Sequence, residues 1–176
     1  MFSLFNKIEL RHVCPIVGDI IEQIRTTGLR LMGAQIGRNS IVRKNFYTTN
    51  ATFLTIGKNS KIGINCQLFL YDKFHVGDNV EIGSNLIVHT AEHILNNVSK
   101  PLCKQGSYYK AVLIESDVYI GSRVTILPGT IIENRVVIGA GAVVKGHLKS
   151  GYIYCGVPAK PIKKICRDDT NLCNHQ

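Results

Sequence analysis

An aliphatic residue returns every six positions through the second half of this chain: Ile114, Ile120, Ile126, Ile132, Ile138 and Val144. Two positions ahead of each stands another small or aliphatic residue, namely Val112, Val118, Val124, Thr130, Val136 and Ala142. Shorter runs precede them in shifted frames: Ile36 and Val42, then Ile56, Ile62 and Leu68, then Val76, Ile82 and Val88. Residues two apart face the same way on a strand and not on a helix, so the spacing is that of short strands. The positions between hold corner residues. Gly37, Gly57, Gly63, Gly77, Gly83, Gly121 and Gly139 follow the aliphatic position, and Asn39, Asn45, Asn59, Asn65, Asn79 and Asn85 sit three residues after it. Both types tolerate a left-handed backbone, so both are expected to make the turns. Each hexad is then one side of a coil, and stacked coils bury a continuous aliphatic column. The pattern predicts a parallel β-helix.

Three segments depart from the period. Residues 15–33 carry apolar side chains at 16, 17, 20, 21, 24 and 31, which predicts a helix closed by Gly33 that caps the open edge of the first coil. Residues 89–111 break the repeat, and a long interruption in a compact repeat is expected to carry function. Residues 166–176 show no periodicity. The expected organisation is one domain, 1–176, with a helix cap (15–33), coils (34–88 and 112–155), a projecting loop (89–111) and a basic tail (156–176).

Composition narrows the partners. The chain has 21 Lys and Arg against 12 Asp and Glu, a net charge of +9, which favours an anionic ligand. The basic residues follow the tail rather than a groove with interleaved aromatics, so nucleic acid is not the expected partner. No apolar run approaches the ~20 residues of a membrane span. The charged N-terminus does not read as a signal peptide, and the six cysteines form no CxxC pair. A cytoplasmic protein with reduced cysteines is expected.

The aliphatic-Gly-x-x-small-x hexads resemble those of the hexapeptide-repeat transferases. That resemblance implies an all-β fold, a left-handed parallel β-helix with three hexads per coil; the hand comes from the resemblance alone. It covers residues 36–88 and 112–144, and it extends to Gly156-Val157-Pro158-Ala159-Lys160-Pro161-Ile162-Lys163-Lys164-Ile165, which is similar to the family's usual ending. Within the family, the break resembles the loop of the galactoside, maltose and related O-acetyltransferases. There a catalytic His follows a strand similar to Ile82-Gly83-Ser84-Asn85-Leu86-Ile87-Val88, and here His89-Thr90-Ala91-Glu92-His93 comes next. The family's Thr-x-x-His register selects His93 as general base and leaves His89 lining the cleft. Ile94 stands where the family usually has Pro.

The resemblance implies further roles. Asn65 and Asp72 match in order the Asn and Asp that hold acceptor hydroxyls. The amide of Ser122, in the Tyr119-Ile120-Gly121-Ser122 corner, is the candidate for the oxyanion and thioester. Ser122, Ala140, Lys145, Lys160 and Lys163 are expected along the coenzyme A face, with the small Gly139-Ala140-Gly141-Ala142 corner against pantetheine and the lysines against phosphates. Val143-Val144-Lys145-Gly146 lacks a Thr that relatives often carry, and Tyr119 stands in place of a frequent Trp. Residues 28–37 resemble the branch linked to surface-polysaccharide modification.

These implications lead to an acetyl-CoA-dependent O-acetyltransferase acting on a sugar or polysaccharide precursor. A thioester-to-hydroxyl transfer needs a base for the hydroxyl proton, and a neutral imidazole suits that task. A homotrimer with sites between subunits is expected, since Leu113, Ile131 and Val137 point outward on the hexad pattern. Acetylation of a drug or an amino acid is the alternative within the fold. Outside it stand a zinc enzyme resembling the γ-type carbonic anhydrases, for which the spacing of His75, His89 and His93 does not suit ligands from stacked coils, and a non-catalytic binding β-helix. No metal is expected.

Overall fold

The computed structural model of the chain describes residues 15–165, so the segment 166–176 lies outside the described residues. The chain winds into coils whose short strands stack in three parallel sheets. The first face takes Gln35–Ile36, Leu54–Ile56, Phe74–Val76, Val112–Ile114, Ile131–Ile132 and His147–Leu148. The second takes Ile41–Val42, Lys61–Ile62, Glu81–Ile82, Tyr119–Ile120, Val137–Ile138 and Tyr152–Cys155. Tyr47–Thr48, Gln67–Phe69, Ile87–His89, Thr125–Ile126 and Val143–Val144 make the third. This is the parallel β-helix that the period of six predicts.

Register follows the hexads. Ile56 pairs with Val76, Val76 with Ile114 across the loop, and Ile114 with Ile132. The aliphatic positions form the interior: Ile114, Ile120, Ile126, Ile132, Ile138 and Val144 are all fully buried. Each such side chain contributes about 1.5–3 kcal/mol relative to exposure, so the column is the main source of stability.

The corner residues divide the labour differently from the expectation. All six asparagines hold positive φ, between 55° and 62°. The hexad glycines do not; they are there for space. A Cβ on Gly63 would lie 2.4 Å from the backbone of Gly83, and one on Gly83 would lie 2.6 Å from the amide nitrogen of Ser122. Successive coils approach so closely at these corners that only a hydrogen fits. Asparagine supplies the turn, and glycine supplies the contact.

The helix spans Pro15–Leu31 and covers the first coil, with Gly33 left-handed just beyond its end. The face that packs is not the apolar one. Glu22, Thr26 and Leu29 are buried, while Ile20, Ile24 and Leu31 stand 50%, 66% and 85% exposed. The reason is what the helix has to cover. An open coil edge presents unpaired backbone groups, whose burial without partners is costly. Thr26 Oγ1 accepts the Val42 N–H at 3.1 Å, Arg25 donates to the Val42 carbonyl at 3.3 Å, and Arg30 donates to the carbonyls of Ile36 and Gly37 at 3.1 Å each.

At the other end the chain turns back. Lys160–Lys164 runs antiparallel to Tyr152–Cys155 and widens the second face by one strand. Part of the segment expected as a tail is therefore sheet. Among the described residues, no helix is long and apolar enough to cross a membrane.

Candidate active site

The repeat breaks where the third face should turn into the first. Thr90, fully buried, fixes the exit: its N–H bonds the Phe69 carbonyl at 3.2 Å, and its Oγ1 accepts the N–H groups of Tyr71 and Asp72 at 2.7 and 3.0 Å. Beyond it, Ala91–His93 pairs antiparallel with Ser107–Tyr109, so the projecting loop is a hairpin. Its tip is closed by the Gln105 side chain, which accepts the Asn97 N–H at 2.9 Å and donates to the carbonyls of Asn97 and Lys100 at 2.8 and 3.0 Å.

Strand alternation sorts the hairpin's side chains into two sets. His93 and Ser107 are cross-strand partners, and His93 Nδ1 lies 3.2 Å from Ser107 Oγ. On that side Tyr109 stacks with Tyr71 of the preceding corner at 5.9 Å between ring centroids. Glu92 and Tyr108, also cross-strand partners, occupy the other side. The Tyr108 hydroxyl donates to Glu92 Oε2, Lys145 Nζ lies 3.6 Å from the same oxygen, and Lys110 Nζ sits 5.3 Å from the Tyr108 ring centroid. The Tyr108 hydrogen bond, helped by the Lys145 and Lys110 ammonium groups, holds the Glu92 carboxyl below its usual range. The same bond pushes the Tyr108 phenol up.

The remaining candidates fall into groups. Near His93, His89 closes the third face with its ring stacked on Phe69 at 5.0 Å and 8°. Asp72, at the neighbouring corner, accepts the Lys73 N–H at 2.7 Å. Lys145 reaches Glu92 from two coils further on.

Asn65, Ser122 and Ala140 lie on the opposite edge of the third face, where it meets the second. Asn65 is left-handed, accepts from Asn45 Nδ2 at 2.9 Å, and lines a recess of about 410 Å³ with Gln67 and Asn85. Ser122 continues a ladder: Ser84 Oγ takes the Ile64 N–H at 3.3 Å, and Ser122 Oγ takes the Ser84 N–H at 3.3 Å. The next rung is Ala140, which has no hydroxyl, and among the described residues no acceptor takes the Ser122 N–H. Ser122 also borders a pocket of about 130 Å³ with Arg43, Lys61 and Tyr119. Lys160 and Lys163 stand exposed on the outer strand of the second face. One chain thus holds His93 with His89 and Asp72 at one edge, and Ser122 with Ala140 and Asn65 at another.

Sequence reasoning missed Ser107, Glu92, Tyr108 and the Tyr71–Tyr109 pair. One signal was present: residues 91–93 and 107–109 flank a segment ending in Gly106, which takes φ of 85°. Among the described residues, no three His, Cys, Asp or Glu side chains gather as a metal site, and His75 stands on the first face, away from His89 and His93. Cys66 is buried, which pushes its thiol up and makes it a packing residue.

Comparison with known proteins agrees with this architecture. Residues 111–146 match the bacterial transferase hexapeptide (six repeats) family. A galactoside O-acetyltransferase of Lactococcus lactis is 34% identical over 154 residues, which is 84% of this chain and 70% of the relative. A hexapeptide-repeat containing acetyltransferase of Vibrio cholerae, solved in complex with acetyl coenzyme A, superposes with a TM-score of 0.76 at 27% identity, covering 82% of this chain and 78% of that one. A maltose O-acetyltransferase of Clostridium difficile does so with 0.73 at 28% identity, over 90% and 89% of the two chains. The coils, the asparagine and glycine corners and the projecting hairpin have the same meaning as these likenesses: the chain belongs to the hexapeptide-repeat acyltransferases.

Proposed function

We propose that this enzyme transfers an acetyl group from acetyl-CoA to a hydroxyl of a sugar or polysaccharide precursor, with His93 as general base. The observation that carries the reading is the His93–Ser107 pair on the projecting hairpin. Ser107 Oγ, 3.2 Å from Nδ1, holds the direction of the ring and leaves Nε2 to meet the acceptor hydroxyl. Beside it, Tyr71 and Tyr109 offer aromatic surface, each 55% exposed, suited to the C–H face of a pyranose. The Asp72 carboxylate, next in the chain to Tyr71, and the His89 ring at the same edge are assigned as hydroxyl partners, with Asn65 across the face.

The chemistry runs as a direct transfer. The acceptor oxygen attacks the thioester carbonyl while His93 Nε2 takes its proton. Charge collects on the carbonyl oxygen, and a fixed N–H donor lowers that barrier. The Ser122 amide is free to serve, since the ladder stops at Ala140. Collapse then expels the thiolate, which takes the proton back from the imidazolium.

Donor contacts fall on Ser122, the exposed Ala140 corner and the lysines Lys160 and Lys163. The Vibrio relative's complex with acetyl coenzyme A supports this donor. His93 and Ser122 sit on different edges of one prism, so the working site needs two copies. A homotrimer provides this, and the hairpin tip, where Leu95, Val98 and Leu102 stand 61%, 102% and 61% exposed, supplies apolar surface for a neighbouring copy to cover. The exposed free thiol of Cys103 and the use of acetyl-CoA favour the cytoplasm.

The test is acetyl-CoA turnover against galactosides, nucleotide sugars and oligosaccharides. Turnover of at least one sugar class is expected, as is a particle near three times 19.5 kDa in sedimentation. A monomer at micromolar concentration, or turnover only with amines, would overturn the reading.

A further inference from the structure

We infer that Glu92 and Lys145 position His93, holding the hairpin against the coils so that the imidazole is presented at a fixed angle. This rests on the reading of His93 as base. Residues 92 and 93 are adjacent on a strand, so their side chains leave on opposite sides. Tethering one fixes the roll of the strand and thereby aims the other.

The tether joins parts far apart in the chain. Glu92 lies in the outgoing strand of the hairpin, Tyr108 in the returning one, and Lys145 at the corner after Val143–Val144. Glu92 Oε2 takes both the Tyr108 hydroxyl and the Lys145 ammonium, the latter at 3.6 Å, so one carboxylate ties both hairpin strands to the coil. On the other side, the stacked pair Tyr71–Tyr109 holds the same hairpin to an earlier corner at 5.9 Å. The hairpin is therefore braced on two flanks with His93 between them. Without the polar brace the hairpin would still be closed by its own strand pairing, yet it could roll about its exit at Thr90.

The inference gives Lys145 a role at the base, distinct from a phosphate contact. The Glu92 and Lys145 side chains are 37% and 57% exposed, and so open an ion pair adds little to global stability. Its effect is local. A misplacement of about 1 Å at the reacting groups is enough to slow catalysis as much as a hundredfold.

The experiment reverses the charges: Glu92→Lys, Lys145→Glu, and the two together, with Glu92→Gln and Tyr108→Phe as conservative variants. Three readouts are taken on the intact protein: melting temperature, amide hydrogen exchange over residues 91–109, and acetyl-CoA turnover with methyl β-galactoside as acceptor. Each single reversal should leave melting nearly unchanged, speed hairpin exchange about tenfold, and lower kcat about tenfold with the acetyl-CoA KM within twofold. The double reversal should recover exchange and kcat to within about threefold of the parent. Unchanged exchange in the single reversals would overturn the proposal. So would a Lys145→Glu enzyme whose only defect is a raised acetyl-CoA KM, or single defects that the double reversal does not repair. Failure of the base reading shows elsewhere, as a His93→Ala enzyme that keeps its kcat while the exchange pattern behaves as described.

Discussion

The coils and the hairpin are both built from short strands, but different forces hold them. In the coils, two side chains of each hexad face a dry column, and aliphatic rungs repeat from Val42 to Val144 with almost no exposure. In the hairpin nearly every side chain is half-buried or exposed, and order comes from single polar and aromatic contacts: Ser107 on His93, Tyr108 and Lys145 on Glu92, Tyr109 on Tyr71, and Gln105 across the tip. A repeat averages over its errors, because each rung is supported above and below. The hairpin has no such averaging, so each of its contacts is separately consequential for geometry and nearly irrelevant to stability.

That contrast can be broken most sharply at His93. Its replacement by Ala should lower kcat by ~10²–10⁴ while melting temperature and assembly stay near the parent values. His89→Ala is the control; it removes a ring stacked on Phe69 and should cost far less activity. The opposite ranking would move the base to the corner itself. Next in size comes a rung of the column. Ile120→Ala, at a fully buried position, should cost about 2–5 kcal/mol in denaturant unfolding and leave residual folded enzyme with near-normal kcat. If it lowers kcat without lowering stability, coil and hairpin are not the separate systems described here.

A smaller effect is expected on the second face. Lys160→Ala or Lys163→Ala should weaken acetyl-CoA by roughly ten- to a hundredfold, the weight of a charge-assisted phosphate contact of ~1.5–3 kcal/mol, with acceptor KM unchanged. The smallest concerns pH. The Glu92 carboxyl is held below the usual range by Tyr108, Lys145 and Lys110, so its contribution to hairpin order is complete above the ordinary carboxylate range and is lost as pH falls through the lowered value. Exchange over 91–109, corrected for intrinsic rates, should stay flat down through about pH 4–5 and rise only below it. In Glu92→Gln that rise should vanish. A rise already present at neutral pH would mean that another group controls the hairpin.

The fold was legible because its signal repeats: six aliphatic returns at one spacing leave no other architecture that buries them all. The difference there lies in cause rather than place. The hexad pattern makes Gly63 and Gly83 turn residues, whereas they are required by the approach of the next coil, which no single hexad reveals. The isoleucines predict the packing face of the helix, whereas it packs through Thr26 and arginines, because the surface it covers is backbone edge. For the candidate site, the resemblance points to His93 through a strand motif. Ser107 beside His93 and Lys145 beside Glu92 have no such motif. They come from 14 and 53 residues away from those partners in the chain, and only the hairpin pairing and the stacking of coils bring them near.

The rungs on either side of the loop pair as if nothing lay between them. Val76 meets Ile114, 38 residues on, in the same register in which Ile56 meets Val76, 20 residues on. Closing the longer segment costs only about 0.6 kcal/mol more by chain entropy, since that cost grows with the logarithm of length. The scaffold is thus indifferent to what is threaded out at this seam. A lineage can lengthen, shorten or exchange the excursion without renegotiating the fold, and a protein engineer can do the same. The hairpin is a detachable cassette on a fixed scaffold, and the experiment to run is a transplant of residues 91–109 between scaffolds.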